Sequence, residues 1–527
     1  MVNLAVTLTD SARHFPDKVA LKCMGMPSTY GQINGISNQV ANGLRAAGIK
    51  RGEKVALCCA NLPYFPMVYY GILKAGCAVV PLNVLLKQRE IAYHCADSDS
   101  VALVCFEGTP ELPIGHEAWK AFNEVESVRN FWVLPAQPGG PCSIKGAKTF
   151  ADMIAGQSPV FDAEQMDVND TAVVLYTSGT TGKPKGAELS HSNIMFNALV
   201  SKVMMDGRPE DVMLVTLPLF HSYGQTVMMN AGFLAGATLI LLPRFDAAGA
   251  LKLMQDEGVT SFSGVPTMYW DILNCPDLAK FDLEKIKKNL RICGSGGAAM
   301  PVEVMKQFEQ KFDVPILEGY GLSETSPVAC FNRLDRVRKP GSIGIPVWGV
   351  EMRVVDDEMN DVAQGKPGEI IIRGHNIMKG YYKKPEANAE AFRGGWFHTG
   401  DVAKVDEEGY FYIVDRTKDM IIRGGFNVYP RELEEVLVTH PDVSLAAVIG
   451  IPDEEYGEEV LAFVIPKPGK TIEPSEIIAW SKREMAAYKY PRIVEIVGSF
   501  PLGPSGKILK TELRKVATER LQGVAAK

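Results

Sequence analysis

Short runs of valine, isoleucine and leucine alternate with helix-length segments along much of the chain. Val55–Ala60 and Cys77–Val80 are two such runs, Pro81 ends the second, and the helix-length segment Tyr64–Lys74 separates them. Alternating strand and helix signals of this kind are typical of parallel sheets with crossover helices. We therefore expect an α/β fold.

A second stretch of sequence repeats this order. Val212–Leu217 predicts a strand, Tyr223–Leu234 a helix and Ala237–Leu242 a strand. Both stretches carry Leu-Pro after the first strand and Ala-Gly before the second, so they predict two related α/β lobes. A third unit adds a strand at Leu290–Cys293 and a helix at Val302–Phe312, with Pro301 placed as the first helical residue.

The pattern changes beyond residue 341. The segment 341–415 is rich in β-branched residues, and Asp406–Gly409 between two strand-like arms indicates a hairpin. A short polar segment at 417–419 then precedes three predicted helices, at Pro430–Thr439, Pro474–Met485 and Ile508–Leu521. We expect an N-terminal domain over residues 1–416 and a small α+β domain over residues 417–527.

Composition excludes several classes of function. The 527 residues carry 55 Lys and Arg against 62 Asp and Glu, a net charge of −7, which disfavours a nucleic-acid partner. The ten cysteines show no C-x-x-C pair, and the N-terminus has no signal-peptide pattern. The apolar stretch 226–242 is interrupted by Asn230 and two glycines, so no integral membrane segment is expected. These features predict a cytoplasmic protein.

The segment Tyr176–Gly186 carries the strongest chemical signal. It reads Tyr-Thr-Ser-Gly-Thr-Thr-Gly-Lys-Pro-Lys-Gly and follows an apolar strand signal. Glycines let the backbone approach an anion, and hydroxyl and lysine side chains supply donors and positive charge. It is not a Walker A loop, because the glycine spacing is shorter and Pro184 occupies the position of the magnesium-binding hydroxyl.

This loop resembles the phosphate loop of the adenylate-forming superfamily, which includes acyl-CoA synthetases, adenylation domains and luciferases. Further motifs of that family follow in order: Gly294–Ala299, Gly319–Thr325, Trp396–Asp401 and Pro504–Ile508. The resemblance covers essentially the whole chain. It implies two α/β lobes with a distorted β-barrel-like unit, and a mobile C-terminal domain that rotates between two half-reactions.

The resemblance also implies an ATP site. Tyr320 would stack on adenine, Ser323 would contact the α-phosphate or the acyl carboxylate, and Glu324 would hold Mg²⁺. Asp401 and Arg416 would contact the ribose. The residues expected to bind ATP or AMP are Thr177, Ser178, Gly179, Thr180, Thr181, Gly182, Lys183, Lys185, Gly296, Ala298, Glu318, Gly319, Tyr320, Gly321, Asp401, Ile413 and Arg416.

Three further assignments come from the same resemblance. Lys507 would bridge the acyl carboxylate and the α-phosphate, and Ser323 and Glu324 would act with it in catalysis. Lys418 matches the hinge position, where the backbone changes direction during rotation. The residues expected to bind coenzyme A are Arg423, Gly424 and Gly425.

The acyl pocket decides which acid is used. Its expected lining residues are His221, Tyr223, Gly224, Val227, Ser295, Gly321, Pro327 and Val328. Residues 222–233 carry no charge, so nothing there would pair a second carboxylate or an amino group. A medium- to long-chain fatty acid is therefore favoured, with an aryl acid such as a cinnamate or benzoate as the alternative.

The predicted reaction is ATP-dependent acid–CoA ligation through an acyl-adenylate, with ATP, Mg²⁺ and coenzyme A. Acyl transfer to a carrier protein and luciferase-like oxidation stay as alternatives, and the proposed coenzyme A contact at Gly425 disfavours them. A non-catalytic binding module is disfavoured because Glu324, Asp401, Arg416 and Lys507 are all present. Peripheral membrane contact and a homodimer are left open.

Overall fold

A computed structural model describes residues 2–137, 139–140, 142–177, 183–416, 419–424, 426–453 and 456–525. The strands in chain order are β1 Val19–Cys23, β2 Met26–Thr29, β3 Lys54–Cys58, β4 Ala78–Leu82, β5 Ser100–Phe106, β6 Asn130–Leu134, β7 Lys148–Thr149, β8 Thr171–Thr177, β9 Lys185–Ser190, β10 Val212–Val215, β11 Thr238–Leu241, β12 Ser261–Gly264, β13 Ile292–Ser295, β14 Ile316–Gly321, β15 Val328–Phe331, β16 Ile345–Pro346, β17 Val350–Val355, β18 Gly368–Gly374, β19 Gly380–Tyr381, β20 Phe397–Val405, β21 Phe411–Arg416, β22 Ile421–Arg423, β23 Phe426–Val428, β24 Val443–Asp453, β25 Gly457–Pro466 and β26 Ile493–Ile496.

Helices connect these strands. They are α1 Val6–His14, α2 Tyr30–Ala46, α3 Tyr64–Lys74, α4 Gln88–Asp97, α5 Ile114–Phe122, α6 Phe150–Ile154, α7 His191–Met204, α8 Ala231–Ala235, α9 Ala247–Asp256, α10 Pro266–Leu273, α11 Leu283–Asn289, α12 Val302–Phe312, α13 Pro385–Ala391, α14 Pro430–Leu437, α15 Pro474–Glu484 and α16 Lys510–Ala525. A π-helix spans Tyr223–Asn230, and short 3₁₀ helices lie at Leu278–Lys280, Ser323–Thr325 and Arg393–Gly395. No helix within the described ranges is both long and apolar enough to cross a membrane.

Two large sheets form the two predicted lobes. One has the order β19-β9-β8-β4-β3-β5-β6-β7, and the other β16-β15-β14-β13-β12-β10-β11-β1-β2. Both contain the same parallel arrangement, β4-β3-β5 in one and β11-β10-β12 in the other, so the repeat seen in the sequence is a structural repeat. The α/β class is confirmed.

The remaining strands form two smaller sheets. The antiparallel sheet β17-β18-β20-β21 is the predicted β-rich unit, and β24 and β25 pair along a long register within the last sheet. That last sheet separates two apolar clusters, one packed under α14 and α15 and the other under α16. Residues 419–525 therefore have buried apolar layers on both faces of their own sheet.

Two predicted elements differ from the structure. Pro81 lies inside β4 instead of ending it. Because β4 pairs with β8 only at Val79, no later hydrogen bond to β8 needs the backbone N–H that proline lacks. The predicted helix at 223–234 is a π-helix followed by a short α-helix. The Asn230 amide donates to the Gln225 carbonyl at 2.9 Å, a local side-chain bond that accompanies the wider turn.

The crossing of α2 and α3 depends on a close backbone approach at Gly71. A Cβ there would lie 2.4 Å from Val40 Cγ1 and 2.9 Å from the Ser37 carbonyl oxygen. At Gly35 on α2, a Cβ would meet only Pro159 Cβ at 3.8 Å. The two helical glycines therefore differ in whether a methyl group fits.

We predict that Gly71→Ala lowers the free energy of unfolding by about 1–3 kcal/mol, because overpacking outweighs the gain in helix propensity. Gly35→Ala is the matched control and should raise it by up to about 1 kcal/mol. Thermal unfolding followed by circular dichroism measures both. Equal midpoints for the two variants would contradict the packing argument.

Candidate active site

A cavity of about 640 Å³ lies between the two lobes and the residues that follow β26. Parallel strands place functional loops at their carboxyl ends, and strands of both sheets end here. The cavity brings together most of the predicted site residues, namely Thr177, Lys185, His221, Tyr223, Gly224, Ser295, Gly296, Gly319, Tyr320, Gly321, Ser323, Glu324, Pro327, Val328, Asp401 and Lys507.

Tyr320 and Asp401 form one wall of this cavity. The Tyr320 hydroxyl donates a hydrogen bond of 2.6 Å to Asp401 Oδ2, which fixes an aromatic ring beside a carboxylate that is 3% exposed. The Asp401 backbone N–H donates a hydrogen bond to Thr399 Oγ1 at 3.0 Å. An aromatic face next to a fixed acceptor suits a base and the hydroxyls of its sugar.

Glu324 is a second carboxylate of the cavity lining. Its Oε1 accepts hydrogen bonds from Thr177 Oγ1 and from the Tyr381 hydroxyl, both at 3.0 Å. Burial and the nearby Glu324 charge raise the Tyr381 pKa, so its hydroxyl stays a donor at neutral pH. The carboxylate is 7% exposed and is held by these two hydroxyl groups.

The donor set near Glu324 fits Mg²⁺ that arrives with a nucleotide. Within the described residues, no group of three or more His, Cys, Asp or Glu side chains could hold a metal by itself. Mg²⁺ is commonly bound through one or two carboxylates together with substrate phosphates and water. A single carboxylate at the cavity wall meets that requirement.

Lys507 lines the cavity from the segment between β26 and α16. A Cβ at Gly297 would lie 2.9 Å from Lys507 Cε and 3.4 Å from its Nζ, so the end of the lysine side chain packs against the Gly297 backbone. The loop before it is anchored to the second lobe, since Thr267 Oγ1 donates to the Gly506 carbonyl at 2.6 Å. Gly506 has a φ of +79°, which glycine adopts without strain.

His221 lies within reach of the Lys507 charge. Burial, and then the Lys507 charge, lower the His221 pKa to about 4, so the imidazole is neutral at pH 7. The next residue, Ser222, places its hydroxyl 3.4 Å from that of Ser323. A neutral ring beside a lysine adds no competing positive charge at this part of the cavity.

An uncharged part of the cavity, here called the branch, is bounded by Tyr223 and Gly224. A Cβ at Gly294 would lie 3.3 Å from the Tyr223 hydroxyl, 2.8 Å from Ser263 Oγ and 3.4 Å from Met205 Cε. Tyr223 and Gly224 line the cavity, whereas Met205 and Ser263 do not. The tyrosine ring therefore forms the floor of this branch, with apolar side chains packed behind it.

Several predicted residues lie elsewhere. Among the described residues, those that do not line the cavity are Lys183, Val227, Ala298, Glu318, Ile413, Arg423 and Gly424. Glu318 is 1% exposed, its Oε1 accepts from the Met300 N–H, and burial raises its pKa to about 7. The Lys183 ammonium lies 5.5 Å from the Tyr93 ring centroid.

Two of the residues expected to bind coenzyme A, Arg423 and Gly424, are described by the structure, and both contact neighbouring residues. Arg423 forms two hydrogen bonds with Glu459, at 2.7 and 2.8 Å, and its guanidinium lies 4.2 Å from the Tyr456 ring centroid. The Gly424 N–H donates to the Tyr456 carbonyl at 2.8 Å. The predictions for Ser178, Gly179, Thr180, Thr181, Gly182, Lys418, Gly425 and the Arg416 side chain fall outside the described residues.

Part of the cavity wall carried no motif. The lining residues outside the motifs include Pro81, Leu82, Asn83, Leu86, Glu90, His94 and Tyr381. Pro81 and Leu82 are the last residues of β4, and Asn83 to His94 follow its carboxyl end. The strand order would have indicated that edge, because β4 neighbours β8, which precedes the phosphate-loop motif.

Family models match two parts of the chain. Residues 8–382 match the AMP-binding enzyme model, and residues 432–507 match the model of the AMP-binding enzyme C-terminal domain. The first match alone covers more than half of the sequence. It contains most of the cavity residues, and the second ends at Lys507.

Named relatives match over nearly the full length. A long-chain-fatty-acid–CoA ligase of Bacillus subtilis (strain 168) is 37% identical, covering 97% of this chain and 94% of the relative. A feruloyl-CoA synthase of Amycolatopsis sp is 36% identical, covering 96% and 97%. The solved structure of the anthranilate CoA ligase AuaEII with anthranoyl-AMP superimposes with a TM-score of 0.91 at 30% identity, covering 99% and 98%.

These matches agree with the geometry of the cavity, where an aromatic ring, two carboxylates and a lysine meet. The chain belongs to the AMP-binding enzyme family, and it is an AMP-forming acyl-CoA synthetase.

Proposed function

We propose that this acyl-CoA synthetase activates a medium- to long-chain fatty acid with ATP and transfers the acyl group to coenzyme A. The observation that carries the proposal is the cavity that Lys507, Glu324 and the Tyr320–Asp401 pair line together with an uncharged branch, where nothing would pair a second carboxylate or an amino group. The Bacillus subtilis relative, named for long-chain fatty acids, supports the substrate class.

In the first half-reaction, the acid carboxylate attacks the α-phosphorus of ATP in line, and the bond to pyrophosphate breaks. Tyr320 and Asp401 orient the nucleoside, and Ser323 lies next to the reacting groups. Lys507 offsets the negative charge that gathers between the carboxylate and the α-phosphate. Glu324 would hold Mg²⁺, which supplies further charge neutralisation at the phosphates when bound.

In the second half-reaction, the coenzyme A thiol attacks the acyl carbonyl, loses its proton, and AMP leaves. Arg423 and Gly424 lie away from the cavity in this structure. For them to approach the acyl-adenylate, residues 417–527 must rotate, which is the domain division expected from the sequence. The present orientation, with Lys507 in the cavity, then corresponds to adenylate formation.

Helix capping across the two parts supports such a defined orientation. The Glu435 carboxylate on α14 accepts from the Val302 N–H at the start of α12, at 3.4 Å, and Pro301 gives that helix no side-chain cap. In return, Asp415 Oδ2 accepts from the Arg431 N–H at the start of α14, at 3.1 Å. Each helix N-terminus is thus stabilised by an anion from the other part of the chain.

An aryl acid is the second candidate substrate. The cavity branch ends at a tyrosine ring, a boundary that suits a short flat acid better than an extended chain. A longer chain requires the Tyr223 ring to turn toward the apolar cluster that holds Met205 and Val227. The feruloyl-CoA synthase relative favours the same alternative.

A panel of acids decides between the two candidates. Pyrophosphate release is measured with acids from acetate to palmitate and with cinnamates and benzoates, with and without coenzyme A. The highest kcat/KM should fall on an acid of eight or more carbons. A maximum on a cinnamate or benzoate would replace the fatty-acid proposal with the aryl-acid one.

Two further predictions belong to this proposal and rest on the sequence: Mg²⁺ is the metal, and the cytoplasm is the location. Peripheral membrane contact and a homodimer are left open. The measurements are metal dependence of adenylation, cell fractionation, vesicle sedimentation and analytical ultracentrifugation.

Lys507→Ala should lower the rate of adenylation at least about 100-fold, because a charge at the developing transition state is lost. Thioester formation from supplied acyl-adenylate should stay within about twofold of the parent enzyme. Lys515→Ala, which removes a lysine from an exposed pair with Glu512, is the matched control and should leave both rates unchanged. Equal losses in both half-reactions of Lys507→Ala would contradict the assigned role.

Glu435→Ala should slow adenylation about threefold to tenfold by removing the anion at the start of α12, since such helix-end charges contribute about 0.3–2 kcal/mol. Thioester formation should be equal or faster. Glu432→Ala, one turn earlier on α14 and paired with Lys489, is the control. If the two variants slow adenylation alike, the capping contact does not hold the orientation.

Tyr223→Ala should shift the preferred fatty acid to a longer chain, because it opens the branch toward Met205. Two additional buried methylenes give about a tenfold rise in kcat/KM for the longer acid. Tyr223→Phe keeps the ring and should keep the preference of the parent enzyme. An unchanged profile in Tyr223→Ala would show that the branch floor lies elsewhere.

A further inference from the structure

Tyr381 contacts two of the charged groups assigned to the phosphates, although no sequence motif pointed to it. Its hydroxyl donates to Glu324 Oε1 at 3.0 Å, and Thr177 Oγ1 donates to the same oxygen at the same distance. Its ring faces Lys185, whose Nζ lies 4.7 Å from the ring centroid. One side chain therefore connects the proposed metal carboxylate to a lysine of the phosphate-loop strand.

The backbone of Tyr381 is fixed on both sides. As part of β19 it pairs with Ala187 of β9, the strand that follows the phosphate-loop motif. Asn388 accepts from the Tyr381 N–H at 2.6 Å and donates to its carbonyl at 3.0 Å. Gly380 has a φ of +146°, and a Cβ there would lie 3.0 Å from the Asn388 amide. The position of the hydroxyl thus follows from rigid neighbours.

Two donors on one oxygen define the orientation of a carboxylate. The terminal torsion of a glutamate has a broad distribution, so an isolated Glu324 would present its oxygens over a range of directions. Hydrogen bonds from Thr177 and Tyr381 hold Oε1, and among the described residues no hydrogen bond reaches Oε2. The second oxygen is therefore left for a cation at the cavity wall.

We propose that Tyr381 is a positioning residue that orients Glu324 toward the cation accompanying ATP and keeps Lys185 beside the phosphates. The proposal rests on the function proposed above, in which Glu324 holds Mg²⁺. Partners of a metal ligand typically change metal affinity about 10-fold to 100-fold when they are removed. Tyr381→Phe isolates this effect, because it removes the hydroxyl and keeps the ring under Lys185.

The test measures equilibrium binding of ATP by calorimetry in the absence of acid, so that no turnover occurs. Affinities are determined with Mg²⁺ and with a chelator, and their ratio gives the gain that Mg²⁺ provides. Tyr381→Phe should reduce this gain about tenfold and leave AMP binding unchanged. Asn388→Ala should reduce it in the same direction by a smaller factor.

Tyr382→Phe is the matched control. Its hydroxyl contacts Asp99 at 2.5 Å and Lys54 at 3.0 Å, and Tyr382 does not line the cavity. It should bind ATP as the parent enzyme does under both conditions. A Tyr381→Phe protein with the parent gain from Mg²⁺, or with equal losses of ATP affinity in both conditions, would overturn the positioning role.

Glu324→Gln separates this inference from the proposed function. If Glu324→Gln loses the gain from Mg²⁺ but Tyr381→Phe keeps it, Glu324 holds the metal and Tyr381 does not position it. If Glu324→Gln also keeps the gain, the metal assignment itself is wrong and the positioning role falls with it. The acid panel described above tests the substrate independently of either result.

Discussion

The approach of two anions is the constraint on which the arrangement of the site depends. A carboxylate and a triphosphate repel each other, so the cavity must supply positive charge at the point where they meet. We propose that Lys507 occupies that point; a Cβ at Gly297 would lie 2.9 Å from Lys507 Cε, so this lysine packs against the backbone of Gly297. The glycine loop after β13, the hydrogen bond from Thr267 to the loop at Gly506, and the neutral His221 are all consistent with this placement.

The position of Lys507 in the C-terminal part of the chain is consistent with the proposed division into two domains. A lysine fixed permanently at this point would also obstruct the later approach of a thiol to the acyl carbonyl. Lys507 lies after β26, in a part of the chain with its own sheet and its own apolar layers, which would permit it to withdraw as a unit in the proposed rotation. The Glu435 carboxylate at the start of α12 and the Asp415 carboxylate at the start of α14 connect that unit to the rest of the chain in this orientation.

The sequence predicted much of the fold because hydrophobic periodicity indicates where helices and strands form. Tyr64–Lys74 and Val302–Phe312 are helices with the predicted bounds, and the Leu-Pro and Ala-Gly repeat corresponds to two equivalent strand arrangements. The sequence predicted that Pro81 ends the strand, because a proline inside a strand is tolerated only where its missing N–H is not needed for pairing. That condition depends on β8, which pairs with β4 only at Val79. The π-helix at Tyr223–Asn230 was not predicted. The Asn230 side-chain amide donates to the Gln225 carbonyl, which in a regular α-helix accepts from the backbone N–H four residues later.

The site was predictable where a motif supplies the residue and unpredictable where tertiary packing does. Tyr320, Glu324, Asp401 and Lys507 line one cavity as their motifs suggested. Tyr381 comes from a two-residue strand, and its role arises only from pairing with β9. Glu318 illustrates the opposite case, because a residue adjacent to a motif points into the protein interior.

The most direct measurement joins the two parts of the chain in their present orientation. Trp270 Nε1 donates to Ser444 Oγ at 2.8 Å across the contact, so cysteines at these two positions can be linked by a short bismaleimide. Single-turnover release of pyrophosphate and formation of acyl-CoA are then followed in the linked enzyme. We predict one equivalent of pyrophosphate and no acyl-CoA. Unimpaired formation of acyl-CoA by the linked enzyme would contradict the proposal that Lys507 leaves the cavity between the half-reactions.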